Sequence, residues 1–387
     1  MKIGIITLYY KNNNYGGVAQ AYALNKYIES LGYESELITY QKEKSNLKLV
    51  VRNKSVNVLI HKIFVKVKRK LVKPIEKMLG KKFKEKLKCR ANKLEEFRNK
   101  MPHSKVYTLK NIEEIKDKYD VFMTGSDQSW NPGVIDQAFT FECLDECEKN
   151  IMSYASSVAV KNVSEQYLEF MKKELKKYKY ISVREEQSKD ILKNVTDQEI
   201  YWVADPTLIL EKKQWKNMLS EDKMLKEKYI FSYMIGDSIS QRNKIKRFAK
   251  KKGLKLVTVP FIKGGNKFEY RIEDNKFGDI QMLDITFEQF LKLIRDAEYV
   301  ITDSFHAVCF SYVFEKEFYV FEKKTSVSTS SRLYSLLNEF KLVDRIVKDD
   351  IIEKNEKIDY LNVNKNIESW LEESRNYLNG ALKSFEK

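Results

Sequence analysis

The sequence predicts two doubly wound α/β domains facing each other across a cleft, with a basic helical insertion in the first. Three observations predict it. Short apolar runs alternate with amphipathic stretches at helical spacing along most of the chain. Polar, often glycine-containing segments sit at the carboxyl ends of those runs. The length, 387 residues, is enough for two cores. With 13 Gly and 5 Pro, collagen-like and linker architectures are excluded. No apolar run reaches the roughly 18 residues of a membrane-spanning helix.

The first strand is Lys2 to Tyr9, apolar on both faces as in a parallel sheet covered by helices. A loop, Lys11 to Gly17, leads to a helix over Val18 to Leu31 that Gly32 closes, and Tyr33 to Tyr40 is the next strand. After a basic segment the alternation resumes. Strands are expected at Tyr119–Thr124, Asn150–Ser156, Tyr180–Val183 and Tyr201–Ala204, with helices at Gln166–Tyr178 and Glu185–Lys193. In the second half, strands Tyr229–Ile235, Leu254–Val259, Tyr299–Thr302 and Phe318–Phe321 alternate with helices near Trp215 and over Ser240–Lys252, Phe287–Arg295, Ala307–Phe314 and Arg332–Phe340. Gly264-Gly265 marks a turn, and Asn366–Phe385 is helical and polar. The expected units are residues 1–210, 211–345 and a C-terminal helical tail, 346–387.

Charge is unevenly placed. Residues 42–100 hold 21 Lys/Arg and 5 Asp/Glu, which is the whole net charge of +16; the rest carries 50 of each. Within the segment Val56, Leu59, Ile60, Ile63, Phe64, Val67 and Leu71 recur at helical spacing. Pro74 interrupts, and Ile75, Met78, Leu79, Phe83 and Leu87 resume the pattern. Such a pair of basic amphipathic helices fits an anionic membrane surface, a solvated face packed on the body, or a polyanion. Seventeen of the 21 cations are Lys, and no base-reading motif accompanies them, which argues against sequence-specific nucleic-acid binding. Four cysteines are too few for a disulfide framework, and the spacing of Cys143, Cys147, His61, His103 and His306 suits no structural zinc site. The apolar start leads into Lys11-Asn12-Asn13-Asn14 with no cleavage-type signal, so a cytoplasmic location is expected.

Chemistry is sought beyond the strand ends. Asn14-Tyr15-Gly16-Gly17 opens a helix and so favours an anion or merely makes the turn. Gly125-Ser126-Asp127-Gln128-Ser129-Trp130-Asn131 suits a sugar platform or a capped turn. Arg184, at the tip of a strand, is placed to clamp a carboxylate or phosphate or to pair with Glu185 and Glu186. In Thr302-Asp303-Ser304-Phe305-His306, a histidine stands where a helix begins, as a general acid–base candidate.

As an ordered set, these motifs resemble the polysaccharide pyruvyl transferase family. The resemblance rests on Tyr15-Gly16-Gly17 with Gln20, Gly125-Ser126-Asp127-Gln128 with Trp130-Asn131, and Ser182-Val183-Arg184-Glu185. It also rests on Val203-Ala204-Asp205-Pro206-Thr207, Thr302-Asp303-Ser304-Phe305-His306, and Ser331-Arg332 followed by Asp344-Arg345. Ala307 stands where the family usually has Gly, and Glu317 near an expected Pro. The resemblance implies a GT-B-like pair of Rossmann-like domains that moves the pyruvyl unit of phosphoenolpyruvate onto a glycan sugar as a ketal, without metal or other cofactor. It implies His306 as acid–base, Arg184 on the donor anion and Asp303 orienting His306. It implies Arg332 as a second anion candidate, and Tyr15, Gly16, Gly17, Gln20, Ser126, Asp127, Gln128 and Ser304 as the rest of the expected substrate site. The acceptor it implies is a surface glycan, lipid-linked in many such pathways, which would bring the enzyme to the inner face of the membrane. Two other functions are open: a nucleotide-sugar glycosyltransferase of the same shape, and a non-catalytic membrane or polyanion binder acting through 42–100.

The membrane reading of 42–100 predicts co-sedimentation with anionic vesicles at low salt and release at high salt, because surface attraction is screened within about 10 Å at 0.1 M. No sedimentation at low salt would refute it.

Overall fold

The computed structural model describes residues 1–42, 83–145, 148–262, 271–323, 331–348, 352 and 356–386. Two all-parallel sheets carry them. The first, ordered β2-β1-β3-β4-β5-β6, consists of β1 (Lys2–Ile6), β2 (Glu34–Leu37), β3 (Val121–Thr124), β4 (Asn150–Ser153), β5 (Tyr178–Val183) and β6 (Ile200–Trp202). The second, ordered β11-β10-β7-β8-β9, consists of β7 (Tyr229–Tyr233), β8 (Lys255–Thr258), β9 (Ile280–Gln281), β10 (Tyr299–Thr302) and β11 (Glu317–Val320). Every residue of β3 and β7 is buried, the pattern of strands covered by helices on both faces. The covering helices are α1 (Tyr15–Ser30), α2 (83–98), α3 (Glu165–Leu175), α4 (Glu186–Leu192), α5 (Pro206–Ile209), α6 (Lys212–Asn217), α7 (Ile239–Lys252), α8 (Phe287–Arg295), α9 (Phe305–Val313), α10 (Ser331–Phe340) and α11 (Tyr360–Ser384). The doubly wound fold expected from the sequence is present in both halves.

Chain order reverses between β1 and β3 in one sheet and between β7 and β10 in the other. At such switch points the connections leave to opposite faces, and a crevice opens beyond the strand ends.

Several boundaries differ from the sequence reading for local reasons. Helix α1 starts at Tyr15 because Asn14 caps it, accepting the Gly16 N–H at 3.1 Å, so the glycine pair lies in the first helical turn. Helix α11 starts at Tyr360, because the Asp359 carboxylate accepts the N–H groups of Leu361 and Asn362. Strand β9 has two residues, too few to show a period.

Helix α11, within the expected C-terminal helical tail, packs on both halves. Ser374 Oγ accepts the Ala204 N–H at 2.8 Å, Tyr377 OH donates to the Ser153 carbonyl at 2.9 Å, and Trp370 packs on Trp202. At its other end Tyr360 OH donates to the Ser311 carbonyl, and Tyr312 OH to Asn364. One helix thus staples both domains.

The helices expected over Val56–Leu71 and from Ile75 to residue 82, and the Gly264-Gly265 turn, lie outside the described residues. The described end of the basic segment, α2, packs inward. Leu87, Leu94 and Phe97 are buried. Arg98 donates to the Asn12 carbonyl at 2.6 Å, and Arg90 crosses to the second domain, donating to the Pro260 carbonyl at 2.7 Å with its guanidinium over Tyr15. Among the described residues no helix is long and apolar enough to cross a membrane.

Ser374→Ala leaves the buried Ala204 N–H without an acceptor. It should lower unfolding free energy by about 1–3 kcal/mol, read as a fall in denaturant midpoint at unchanged slope.

Candidate active site

Both switch points open onto one cavity of about 140 Å³. The first domain contributes Asn14 from beyond β1, and Asp127 and Gln128 from beyond β3. The second contributes Ile235 from beyond β7, Asp303, Ser304, Phe305 and His306 from beyond β10, and Phe261, Lys323, Arg332 and Leu333.

Beneath the cavity lies a buried charge cluster. Arg184, at the end of β5, donates from Nη1 to Asp205 Oδ2 at 2.7 Å. Its Nη2 reaches Asp127 Oδ1 at 3.3 Å, and its Nε lies 3.5 Å from Glu185 Oε1. Its guanidinium lies 4.6 Å over the ring of Phe305, a cation–π contact between the domains. Burial opposes its charge, but Asp205, Glu185 and Asp127 outweigh that and raise its pKa. Asp205 also caps α5, accepting from the Thr207 N–H at 3.0 Å and hydroxyl at 2.7 Å, while Ser126 Oγ donates to its other oxygen at 3.3 Å. Burial opposes ionisation of Asp205. The proximity of His306 and Arg184 and the Thr207 N–H nonetheless hold its carboxyl well below the usual carboxylate range.

His306 sits in the first turn of α9, which Ser304 caps by accepting the Ala307 N–H. Its Nε2 lies 3.5 Å from Asp205 Oδ2, within pairing distance but without hydrogen-bond alignment. Its other face lies on the first turn of α1, where a Cβ on Gly16 would collide with the ring. Gly16 is therefore glycine for room: the two helix starts meet with the imidazole between them.

The structure brings His306 and Arg184 together, joined through Asp205. It also reassigns several expected roles. Asp303 does not orient His306: its two oxygens accept the N–H groups of Ile235 and Gly236 at 2.6 and 2.7 Å, so it ties β10 to the end of β7. Burial raises its pKa, and those N–H groups, Lys323 and Arg242 offset the rise. Arg184 does not present a free fork to substrate, because three carboxylates surround it. Tyr15 is fully buried, stacked on Phe290 at 4.2 Å with its hydroxyl donating to the Ile285 carbonyl, and so joins the domains rather than facing the cavity. Gln20 holds the loop after β1 through Thr7 and the Gly17 carbonyl, and the space beside Gly17 is filled by Asn12. Ser126 acts through Asp205. Asp127, Gln128, Ser304, His306 and Arg332 do line the cavity.

Besides Lys323, a second cation, Arg332, lines it. Its Nη1 is 3.9 Å from Asp127, and its Nε is buried with no hydrogen-bond partner among the described residues. Burial and the nearby Arg184 lower its pKa, which Glu185, Asp127 and Asp205 offset. Asp127 sits at φ +69°, a strained conformation for a non-glycine residue and one that recurs at functional sites. Sequence reading assigned no role to Asp205, although its Asp-Pro pair is a helix-start signal. It missed Lys323 altogether, since one lysine after a strand carries no distinguishing pattern. Away from the cleft, Glu142, Asp145 and Glu174 bring carboxylates within 4.8 Å of one another, but Lys173 and Lys177 already pair with them.

A family profile described as polysaccharide pyruvyl transferase matches residues 14–324. No curated protein matches the sequence. In fold the chain is similar to the UDP-GlcNAc 2-epimerase of Methanocaldococcus jannaschii solved with UDP-GlcNAc and UDP, with a TM-score of 0.50 and 12% identity over 97% of this chain and 94% of that one. It is also similar to S. aureus MnaA solved with UDP, with a TM-score of 0.51 and 11% identity over 98% and 91%. At these identities the likeness is one of GT-B-like fold.

Asp205→Asn leaves Arg184 short of its closest counter-charge and should cost about 3–5 kcal/mol at neutral pH. The native carboxyl is depressed, so its contribution is full above the unfolded pKa of about 3.9 and is lost as pH falls below it. Denaturant titrations should therefore show the gap between wild type and variant closing in acid; a gap independent of pH would contradict the assignment.

Proposed function

The chain belongs to the polysaccharide pyruvyl transferase family, and we propose that it transfers the pyruvyl unit of phosphoenolpyruvate to two hydroxyls of one glycan sugar as a ketal, releasing phosphate. The observation that carries this reading is a small cavity lined by an imidazole, backed from beneath by the Asp205 carboxylate, and by an arginine whose Nε has no hydrogen-bond partner among the described residues. At about 140 Å³ it suits a compact phosphorylated acid. Sites for larger ligands run to about 300–1,000 Å³, so a nucleotide sugar fits it poorly.

In this reading His306, as imidazolium, gives its proton to the methylene carbon, and the adjacent carbon becomes electrophilic. Asp205 stabilises the charged ring. The first hydroxyl adds to that carbon, and its proton returns to the imidazole. Phosphate then leaves with the electron pair of its carbon–oxygen bond, the second hydroxyl closes the ketal, and its proton departs with phosphate. Arg332 counters the anion, and Asp127, Gln128 and Asn14 receive the hydroxyls. Arg184 acts indirectly, holding Asp205 and Asp127 in place. Asp303 and Ser304 shape the start of α9. The acceptor is a surface glycan, and the basic segment 42–100 would bring the enzyme to a lipid-linked form of it at the cytoplasmic face of the membrane.

Incubation with phosphoenolpyruvate and a panel of glycan acceptors should give phosphate release matched by a pyruvyl mass gain in one product. His306→Ala should lower that rate by about 10²–10⁴-fold with the fold intact. Near wild-type turnover in the variant would reject the role of His306, and no ketal product with any acceptor would reject the reaction.

A further inference from the structure

We propose that Asp127 is a second general base: it takes the proton of the second acceptor hydroxyl and passes it to the departing phosphate. This rests on the pyruvyl-transfer reading above.

Closing a ketal removes two hydroxyl protons, and one imidazole cannot keep both. His306 gives a proton to the methylene carbon and regains one from the first hydroxyl, which returns it to imidazolium. Its ring then has no lone pair for the second proton. Most other acceptors among the described residues of the cavity are engaged. Both oxygens of Asp303 hold the N–H groups of Ile235 and Gly236. Asn14 Oδ1 accepts the Gly16 N–H, and Gln128 Oε1 accepts from Asn131 Nδ2 at 3.1 Å. Neither amide oxygen is a base. Ser304 Oγ accepts the Ala307 N–H.

Asp127 is the exception. Both of its arginine contacts fall on one oxygen: Oδ1 lies 3.3 Å from Arg184 Nη2 and 3.9 Å from Arg332 Nη1. Its Oδ2 takes no hydrogen bond among the described residues, yet it is not sealed from solvent as Arg332 Nε is. The residue is only 7% exposed and lines the cavity, so the cavity is where that oxygen is open. Its backbone is fixed at φ +69°, with its carbonyl accepting the Ser157 N–H at 3.0 Å and a parallel bridge to Ser156. Arg184 also binds Asp205, which faces His306, so one buried guanidinium sets the positions of both bases. Arg332, the counter-ion of the donor, stands beside the same carboxylate, which keeps phosphate within its reach. As the second hydroxyl oxygen bonds to the carbon that phosphate has left, its O–H bond breaks and the proton goes to Oδ2. The carboxyl then gives that proton to a phosphate oxygen and is again a carboxylate.

The test compares wild type, Asp127→Asn and Asp127→Ala with phosphoenolpyruvate and the acceptor that wild type pyruvylates, reading kcat and donor KM from ketal formation. Loss of a positioned base corresponds to about 10²–10⁴-fold in rate. Asp127→Asn should lower kcat by that factor with no rise in donor KM, since it removes a negative charge from beside Arg332. Asp127→Ala should fall similarly, and added formate, a small carboxylate that fits the space left by the side chain, should restore part of its kcat. A carboxylate that only braces the loop would give no such rescue. Near wild-type kcat in Asp127→Asn means that phosphate takes the proton directly and overturns the assignment, as does a loss in Asp127→Ala that formate does not restore. In either case ketal formation by wild type leaves pyruvyl transfer standing, and only the role of Asp127 falls. If wild type forms no ketal with any acceptor, both fall.

Discussion

A carboxylate buried at the junction of the two domains, Asp205, is the constraint on which the site depends. Its oxygens accept from Arg184, Ser126 and both donor groups of Thr207, and face His306 from the other domain. Removing such charges from water costs several kcal/mol each, and their mutual attraction offsets it only when geometry and hydrogen bonding are complete. The loops after β3, β5 and β6 and the start of α9 must therefore all be in register at once. The interaction that stabilises the junction also sets the spacing of the imidazole from the arginine.

The fold meets that demand by aiming two topological switch points at each other. Each supplies strand ends and a helix start, and the helix starts meet closely enough that Gly16 can carry no side chain. His306 and Asp205 belong to different domains, so any opening of the cleft separates the pair along with the walls of the cavity. Helix α11 ties both domains on one side through Ser374, Tyr377 and Tyr360. On another side Arg90 of α2 reaches Pro260. The described end of the basic segment thus contributes to the interdomain joint through a buried guanidinium.

Much of this is legible in the sequence. The strands stood out because a parallel strand buried on both faces leaves an unbroken apolar run, and the loops because polar residues interrupt those runs abruptly. His306 was legible because a titratable ring at the start of a helix, beyond an apolar strand, is an unusual arrangement. Asp303 misled for the same reason: adjacency in sequence suggested a partner for His306, whereas its carboxylate turns back to the end of β7. Arg184 was rightly placed at a strand tip, but its saturation by Asp205, Asp127 and Glu185 depends on three loops far apart in the chain.

The sequence by itself determined the two-sheet α/β class, the order of its elements and most residues at the strand ends, because burial on both faces and helix capping are local properties written in residue type and period. Only the tertiary structure decided which of those residues meet. It made Asp205 the partner of His306, withdrew Tyr15 and Gln20 into packing, and brought Lys323 to the cavity. Those outcomes follow from how two domains dock, and docking pairs side chains from distant stretches of chain through distances and desolvation that no local pattern encodes.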